Sequence, residues 1–287
     1  MQIPVVHSFY HQETGTWSYI VADPATRVAA IIDPVLDYDA KSGRTSTTST
    51  AVLINTVMEN SYQVAWILES HAHADHISAA PFLKKNLGGR IAIGRGITQV
   101  QKVFKPIFNL DADFATDGSQ FDHLFESDET FSVGDIQARV IATPGHTNDS
   151  VSYLIGDAVF VGDSLFMPDG GSARCDFPGG SAAILYQSVQ RLFALPDETR
   201  MFVCHDYSPG GREPRCETTV GEQKRKNIHV ASTITETQFI AMRQARDATL
   251  DMPALIIPSV QVNIAAGQFP AAEDNGVIYL KIPVDTL

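Results

Sequence analysis

The chain has 287 residues, of which 44% are hydrophobic and 19% charged, a composition that can bury a sizeable core and excludes a disordered segment. Its formal net charge of −12 argues against a surface that tracks nucleic-acid phosphates, since such binding draws on clustered Lys and Arg. No stretch approaches the roughly 20 apolar residues that cross a bilayer, and MQIPVVHSFYHQETG lacks the basic and apolar regions of a signal peptide, so no membrane association and a cytoplasmic location are expected. The three cysteines, Cys175, Cys204 and Cys216, fit neither a disulfide framework nor a thiolate zinc site.

In chain order, TWSYIVAD and RVAAIIDP read as strands joined by a Pro-containing turn. The small polar run SGRTSTTSTA, residues 42–51, reads as a surface loop leading into a helix around 50–60. The strand QVAWILE follows, then a helix over residues 77–87, with Pro81 in its first turn and Gly88 and Gly89 as its stop. From 121 to 167 the texture becomes β-rich, with ETFSV, IQARVIATP, VSYLIG and AVFVGDSLF separated by turn residues. Residues 182–195 return to helical spacing, and GEQKRKN reads as another helix. The Pro-punctuated tail from 253 reads as an ordered wrap. Two strand-rich halves, each followed by helices, predict two packed sheets with helices outside.

Four apolar strand-like runs each end in residues that can ligate a metal. VAWILES runs into His71, His73, Asp75 and His76, ARVIATPG into His146, AVFVG into Asp163, and RMFVC into His205. Side chains beyond the ends of adjacent strands converge on one rim while the strands stay rigid. In extended backbone His71 and His73 share a side, and Asp75 and His76 can turn toward a neighbouring position. Gly145 and Gly162 would let the chain bend sharply just before a ligand. His7, His11, His123 and His229 fall outside this pattern and read as ordinary polar residues. Cys204, one position before His205 on a strand, should point away from the rim into the core.

HxHxDH at 71–76, TPGHT at 143–147, GDSLF at 162–166 and CHDY at 204–207 together resemble the metallo-β-lactamase superfamily over about the first 230 residues. The resemblance implies an α+β four-layer αββα sandwich, two packed mixed β-sheets flanked by helices, with the metal cleft along one edge. It implies an αββα domain over 1–230, with 231–287 as a C-terminal helix and extension packed on it. Within the superfamily, GDSLFMPDGGSARCDFPGG, the H-D-Y triplet at 205–207 and the run from Thr219 to Asn227 look most like the persulfide dioxygenases and the bacterial β-lactamase-like hydrolase subgroup. That likeness implies one non-haem Fe(II) per chain held by His71, His146 and Asp163, oxidising glutathione persulfide, or a similar small persulfide, with O2 to sulfite and thiol. His73, Asp75, His76 and His205 then orient water and ligands from behind.

In the competing glyoxalase II likeness the same four residues complete a two-zinc site, with Asp163 shared, that hydrolyses a thiolester. Ligand inventory does not separate the two readings. A non-catalytic metal-binding or persulfide-sensing module is the reading of a third class.

On the substrate side, Arg174 suits a carboxylate of a glutathione-type thiol, with a salt bridge to Asp176 as the plain alternative. Tyr207 can contact the thiol peptide or pack on the core, and Lys224 can anchor substrate or belong to a solvated helix face. Cys175 reads as a half-buried, inert thiol. A homodimer is a family expectation.

Overall fold

The computed structural model describes residues 3–286. In the first half the elements are β1 (Val5–His11), β2 (Thr16–Ala22), β3 (Val28–Ile32), β4 (Val35–Asp39), β5 (Arg44–Ser46), α1 (Thr48–Glu59), β6 (Gln63–Leu68), β7 (Ile77–Ser78), α2 (Ala80–Leu87), β8 (Arg90–Gly94), α3 (Ile97–Ile107) and β9 (His123–Phe125). The second half has β10 (Thr130–Val133), β11 (Ile136–Ala142), β12 (Val151–Ile155), β13 (Ala158–Phe160), α4 (Ala182–Phe193), β14 (Arg200–Phe202), β15 (Glu217–Thr219), α5 (Val220–Lys226), α6 (Glu236–Asp247) and α7 (Ile256–Asn263). Two six-stranded sheets have the orders β1-β2-β3-β6-β8-β9 and β10-β11-β12-β13-β14-β15, beside a small sheet β5-β4-β7. Both six-stranded sheets are mixed, with parallel pairing from β3 through β9 in the first and between β13 and β14 in the second.

Strand alternation explains why the two sheets stack and why helices cover them. Tyr19, Val21, Ala30 and Ile32 meet Tyr153, Phe160 and Phe202 in the core between the sheets. Their chain neighbours Ile20, Ala22, Ala29 and Ile31 face the opposite way and are covered by Leu53 of α1, Leu83 of α2, Val100 of α3 and Val260 of α7. On the second sheet Val159 and Met201 point outward against Leu185 and Val189 of α4, Val220 of α5 and Phe239 of α6. The result is the four-layer αββα sandwich. A Leu→Ala change in any of these three cores would cost about 2–5 kcal/mol.

Several local expectations shift. Residues 77–79 are not helical, because Ile77 and Ser78 pair antiparallel with Leu36 and Val35, and α2 starts only at Ala80. The polar run 42–51 contributes the short strand β5 beside β4 before α1 begins. The tail beyond 253 includes a full helix, α7, whose Ile256 and Val260 join the outer core of the first sheet. Strands β1 and β8 and helix α3 arise from stretches in which the sequence had suggested no element. No described helix is long and apolar enough to cross a membrane.

Candidate metal centre

Chain segments leaving β6, β11, β13 and β14 meet at one end of the sandwich, carrying respectively the 71–76 loop, His146, Asp163 and His205. Two glycines make the approach possible. Gly145 sits at φ 134°, and a Cβ there would lie 2.3 Å from the Leu185 amide nitrogen. Gly162 sits at φ 51°, with a Cβ position 2.6 Å from Ser70 Oγ. Any side chain at either point would push the donor that follows it out of place.

The donors form two groups, in each of which the candidate ligand atoms lie within 4.8 Å of one another: His71, His146 and Asp163 in one, His73, Asp75, His76 and His205 in the other. Asp163 joins them, since its Oδ2 is 3.6 Å from His146 Nε2 and 3.9 Å from His71 Nε2, and its Oδ1 is 3.3 Å from His205 Nε2. Each imidazole is tied by one nitrogen. His71 Nδ1 meets Ser70 Oγ at 3.0 Å, His73 Nε2 meets Asp33 Oδ1 at 3.1 Å, and His146 Nδ1–H donates to the Arg174 carbonyl at 2.7 Å. His205 Nδ1 lies 3.3 Å from the Gly15 carbonyl, and His76 Nδ1 lies 3.1 Å from Asp75 Oδ2. The opposite nitrogens of His71, His73, His76 and His205, and Asp163 Oδ1, are buried without a hydrogen-bond partner. Proteins rarely leave such atoms unsatisfied, and ligand imidazoles held from behind by an oxygen are how metal sites fix ring orientation. The residues therefore fit a transition-metal cation.

The electrostatics agree at two of the donors. Burial, reinforced by neighbouring imidazoles, holds His71 and His73 well below the usual histidine range, so both present neutral lone pairs. Burial would also lower His205, but Asp163 and Asp75 override it and push its pKa up to about 10. Asp75, despite burial, is held well below the usual carboxylate range by His205 and His76. Burial raises Asp163. Behind His73, burial raises Asp33 and lifts Glu69 well above its ordinary value, with the charge of Asp33 adding to the latter.

A cavity of about 430 Å³ opens over Asp75, His146 and Asp163 and is walled by Phe166, Arg174, Phe177, Tyr207, Arg246 and Leu250, with Arg243 beneath. Tyr207 stacks on His205, ring centroids 5.6 Å apart and 5° from parallel, with its ring largely exposed. Arg174 is engaged within the wall: its guanidinium donates to both Asp176 oxygens at 2.6 and 2.7 Å and to the Asp251 carbonyl at 2.6 Å. Lys224 stands apart, outside this lining, with Nζ bonded to Asp197 Oδ1 at 2.5 Å on the surface. The Cys175 thiol is buried, more fully than the expected half, and burial pushes it up to about 12, which keeps it protonated. Cys204 is buried in the core as expected, but it does not stand clear of the donors. Its sulfur lies within 4.8 Å of ligand atoms of Asp163 and His205, and likewise of Asp33 and His73, because β14 ends at Phe202 and the chain bends at Cys204.

Several contributors carried no signal in the sequence pattern. Asp33 and Glu69 flank His73 at 3.1 and 3.6 Å. Asp149 Oδ2 accepts from the Ala72 N–H at 2.8 Å, and Asn263 bonds the backbone of the 71–76 loop. Arg243 and Arg246 come from α6, which a reciprocal Thr235–Gln238 capping box starts. Buried Arg243 is paired to Asp247 and donates to the Ser172 carbonyl at 2.9 Å, while Arg246 makes no ion pair among the described residues.

The family model for the metallo-beta-lactamase superfamily matches residues 12–205. The β-lactamase hydrolase-like protein of Xylella fastidiosa is 51% identical over 100% of this chain, which spans 66% of that protein's length. Glyoxylase B2 of Dictyostelium discoideum is 49% identical over 98% of this chain and 97% of its own. Among solved structures, ETHE1 from Myxococcus xanthus superposes with a TM-score of 0.73 at 32% identity, covering 92% of this chain and 100% of that one. Mitochondrial ETHE1 of Bos taurus, a persulfide dioxygenase, is 27% identical over 71% of this chain and 68% of its own length.

Proposed function

Because the chain belongs to the metallo-β-lactamase superfamily, we propose that it is an iron-dependent persulfide dioxygenase acting on glutathione persulfide or a similar small thiol persulfide. The observation that carries this reading is the composition of one donor group and its place beside the cavity. His71, His146 and Asp163 form a two-histidine, one-carboxylate group, and His146 and Asp163 line the cavity. Asp75 of the other group is already held between His76 and His205 at 3.1 and 3.2 Å. A metal held by a set of that composition would keep positions for ligands other than protein. The likeness to ETHE1 in fold supports the proposal further.

Iron(II) bound by His71, His146 and Asp163 would supply the redox chemistry by which persulfide, O2 and water become thiol, sulfite and two protons. The chain's own residues supply the rest. Phe166 and Phe177 give the cavity apolar walls that keep bulk water from the reacting sulfur. Tyr207, stacked on His205, borders the path of the thiol. Arg246, whose charge is not spent on a protein partner, is the group free to meet a carboxylate of the carrier thiol, since Arg174 is held by Asp176. The His146 Nδ1–H bond to the Arg174 carbonyl fixes that imidazole with Nε2 toward Asp163.

A thiolester hydrolase is the second reading, favoured by the closeness of His73, Asp75, His76 and His205, which could hold a second ion, and by the likeness to Glyoxylase B2. Protein purified without oxygen separates the two. About one iron per chain, with O2 uptake and sulfite release on glutathione persulfide, is the expected result. Two zinc ions per chain with lactoylglutathione hydrolysis and no O2 uptake would replace the proposal by the hydrolase. In the same assays His76→Ala should keep its iron and turn over about 10-fold more slowly; loss of one of two bound ions would again favour the hydrolase.

A further inference from the structure

The loop that carries four of the seven donors crosses between the end of β6 and the start of β7 outside any strand pairing, so its backbone must find partners elsewhere. One lies in α7, near the far end of the chain. Asn263, buried at 4% exposure, directs its amide nitrogen at two carbonyls of the loop, His73 O at 2.8 Å and His76 O at 2.7 Å, and its Oδ1 accepts from the Ser78 N–H at 2.9 Å. Both amide hydrogens and the carbonyl oxygen are thereby used, and the two carbonyls bracket Asp75 from either side. On the other flank Asp149 takes the Ala72 N–H. Regular packing anchors the base of α7, with Ile256, Val260 and Ile264 in the outer core of the first sheet. The amide thus sits on a fixed platform.

We propose that Asn263 is a positioning residue for the metal centre. Without touching a metal, it sets the curvature of the His73–His76 turn and thereby aims His73, Asp75 and His76, giving the C-terminal segment a part in metal affinity. The physical basis is that two carbonyls on one turn can share a single NH2 only over a narrow range of turn geometries. Asn is needed because it alone of the short side chains offers two donors and an acceptor in one plane. Ala at this position would leave three buried backbone groups unpaired. Asp would keep the Ser78 bond but face both carbonyls with an oxygen, reversing the attraction. The inference rests on the reading of the cluster as a metal centre.

The test is competition between the protein and a chelator for Co(II), followed by the visible absorption of the bound ion. It is run on the wild type, Asn263→Ala, Asn263→Asp and the control Val260→Ala, which loosens the same helix through its apolar side, with urea unfolding measured in parallel. Both Asn263 variants should bind Co(II) about 10–100-fold more weakly with an altered spectrum, while Val260→Ala loses stability and keeps affinity and spectrum. Equal affinity in the wild type and the Asn263 variants overturns the inference and leaves the metal reading standing. Equal losses in the Asn263 variants and Val260→Ala overturn it as well, since general loosening then explains them. A wild type that takes up no Co(II) overturns the metal reading itself, and this inference with it. Should Asn263→Ala not fold, Asn263→Asp, nearly the same shape, carries the comparison.

Discussion

The two sides of the cavity differ in how their polar groups are held. On the donor side each imidazole is buried, fixed through one nitrogen, and left with the other directed at its neighbours. On the facing side Arg174 and Arg243 are neutralised within the wall by Asp176 and Asp247, while Tyr207, Arg246 and Leu250 stand open to solvent. The contrast teaches a division of labour. The donor side has its geometry set before anything binds, which a metal with strict coordination demands, and under the proposed function the facing side would keep adjustable groups for the thiol.

The most damaging way to probe the contrast is to remove the residue shared by both donor groups. Asp163→Ala should lower metal retention by at least about 100-fold, more than any change to a group that merely supports a ligand, as read by metal content after dialysis against chelator. Next is the wall's internal pairing. Asp247→Ala strands the Arg243 charge in a site with 1% exposure and should destabilise the fold by about 3–5 kcal/mol in urea unfolding. Arg243→Met combined with Asp247→Leu should recover most of that loss; a mild effect of the single change would show the wall to be looser than its hydrogen bonds imply. A smaller effect is expected at the open rim. Arg246→Gln should raise KM for a carboxylate-bearing persulfide about 10-fold, with kcat little changed, and leave KM untouched for a thiol carrier without carboxylates.

The mildest probe is pH. His229 accepts the Ser172 N–H on Nδ1 at 2.9 Å behind the wall, and burial, with Arg243 and Arg246 adding, lowers its pKa to about 4. The unfolded chain, near pKa 6.5, binds the proton more readily. Its share of stability is therefore complete above about pH 6.5 and is lost as pH falls toward 4. His229→Gln should flatten the urea midpoint across that window, and an unchanged slope would show that His229 contributes nothing there.

The donor side was readable because each donor follows an apolar strand run directly, so a local pattern marks it. Its supports were not, because they are tertiary. Asp33 reaches His73 across 40 positions and Asn263 reaches it across 190, and no short window contains both partners. The sandwich was likewise visible in two strand-rich halves each followed by helices, whereas β7, two residues long, exists only through its pairing with β4 and was absorbed into the helix that follows. Lys224 drew notice as a cation near a motif, but Asp197, 27 positions earlier, decides where it points. The core placement of Cys204 was readable, but its nearness to the donors was not, because the bend at Cys204 has no local signal.

The bond from His146 Nδ1–H to the Arg174 carbonyl links the two sides directly. Reciprocity of coupled equilibria gives that contact a consequence. If docking of a thiol shifts the 174 peptide, the cation's grip through His146 changes, and loading the cation must alter thiol affinity by an identical factor. Titrating each ligand in the presence and absence of the other would then yield one coupling constant, measured from either direction.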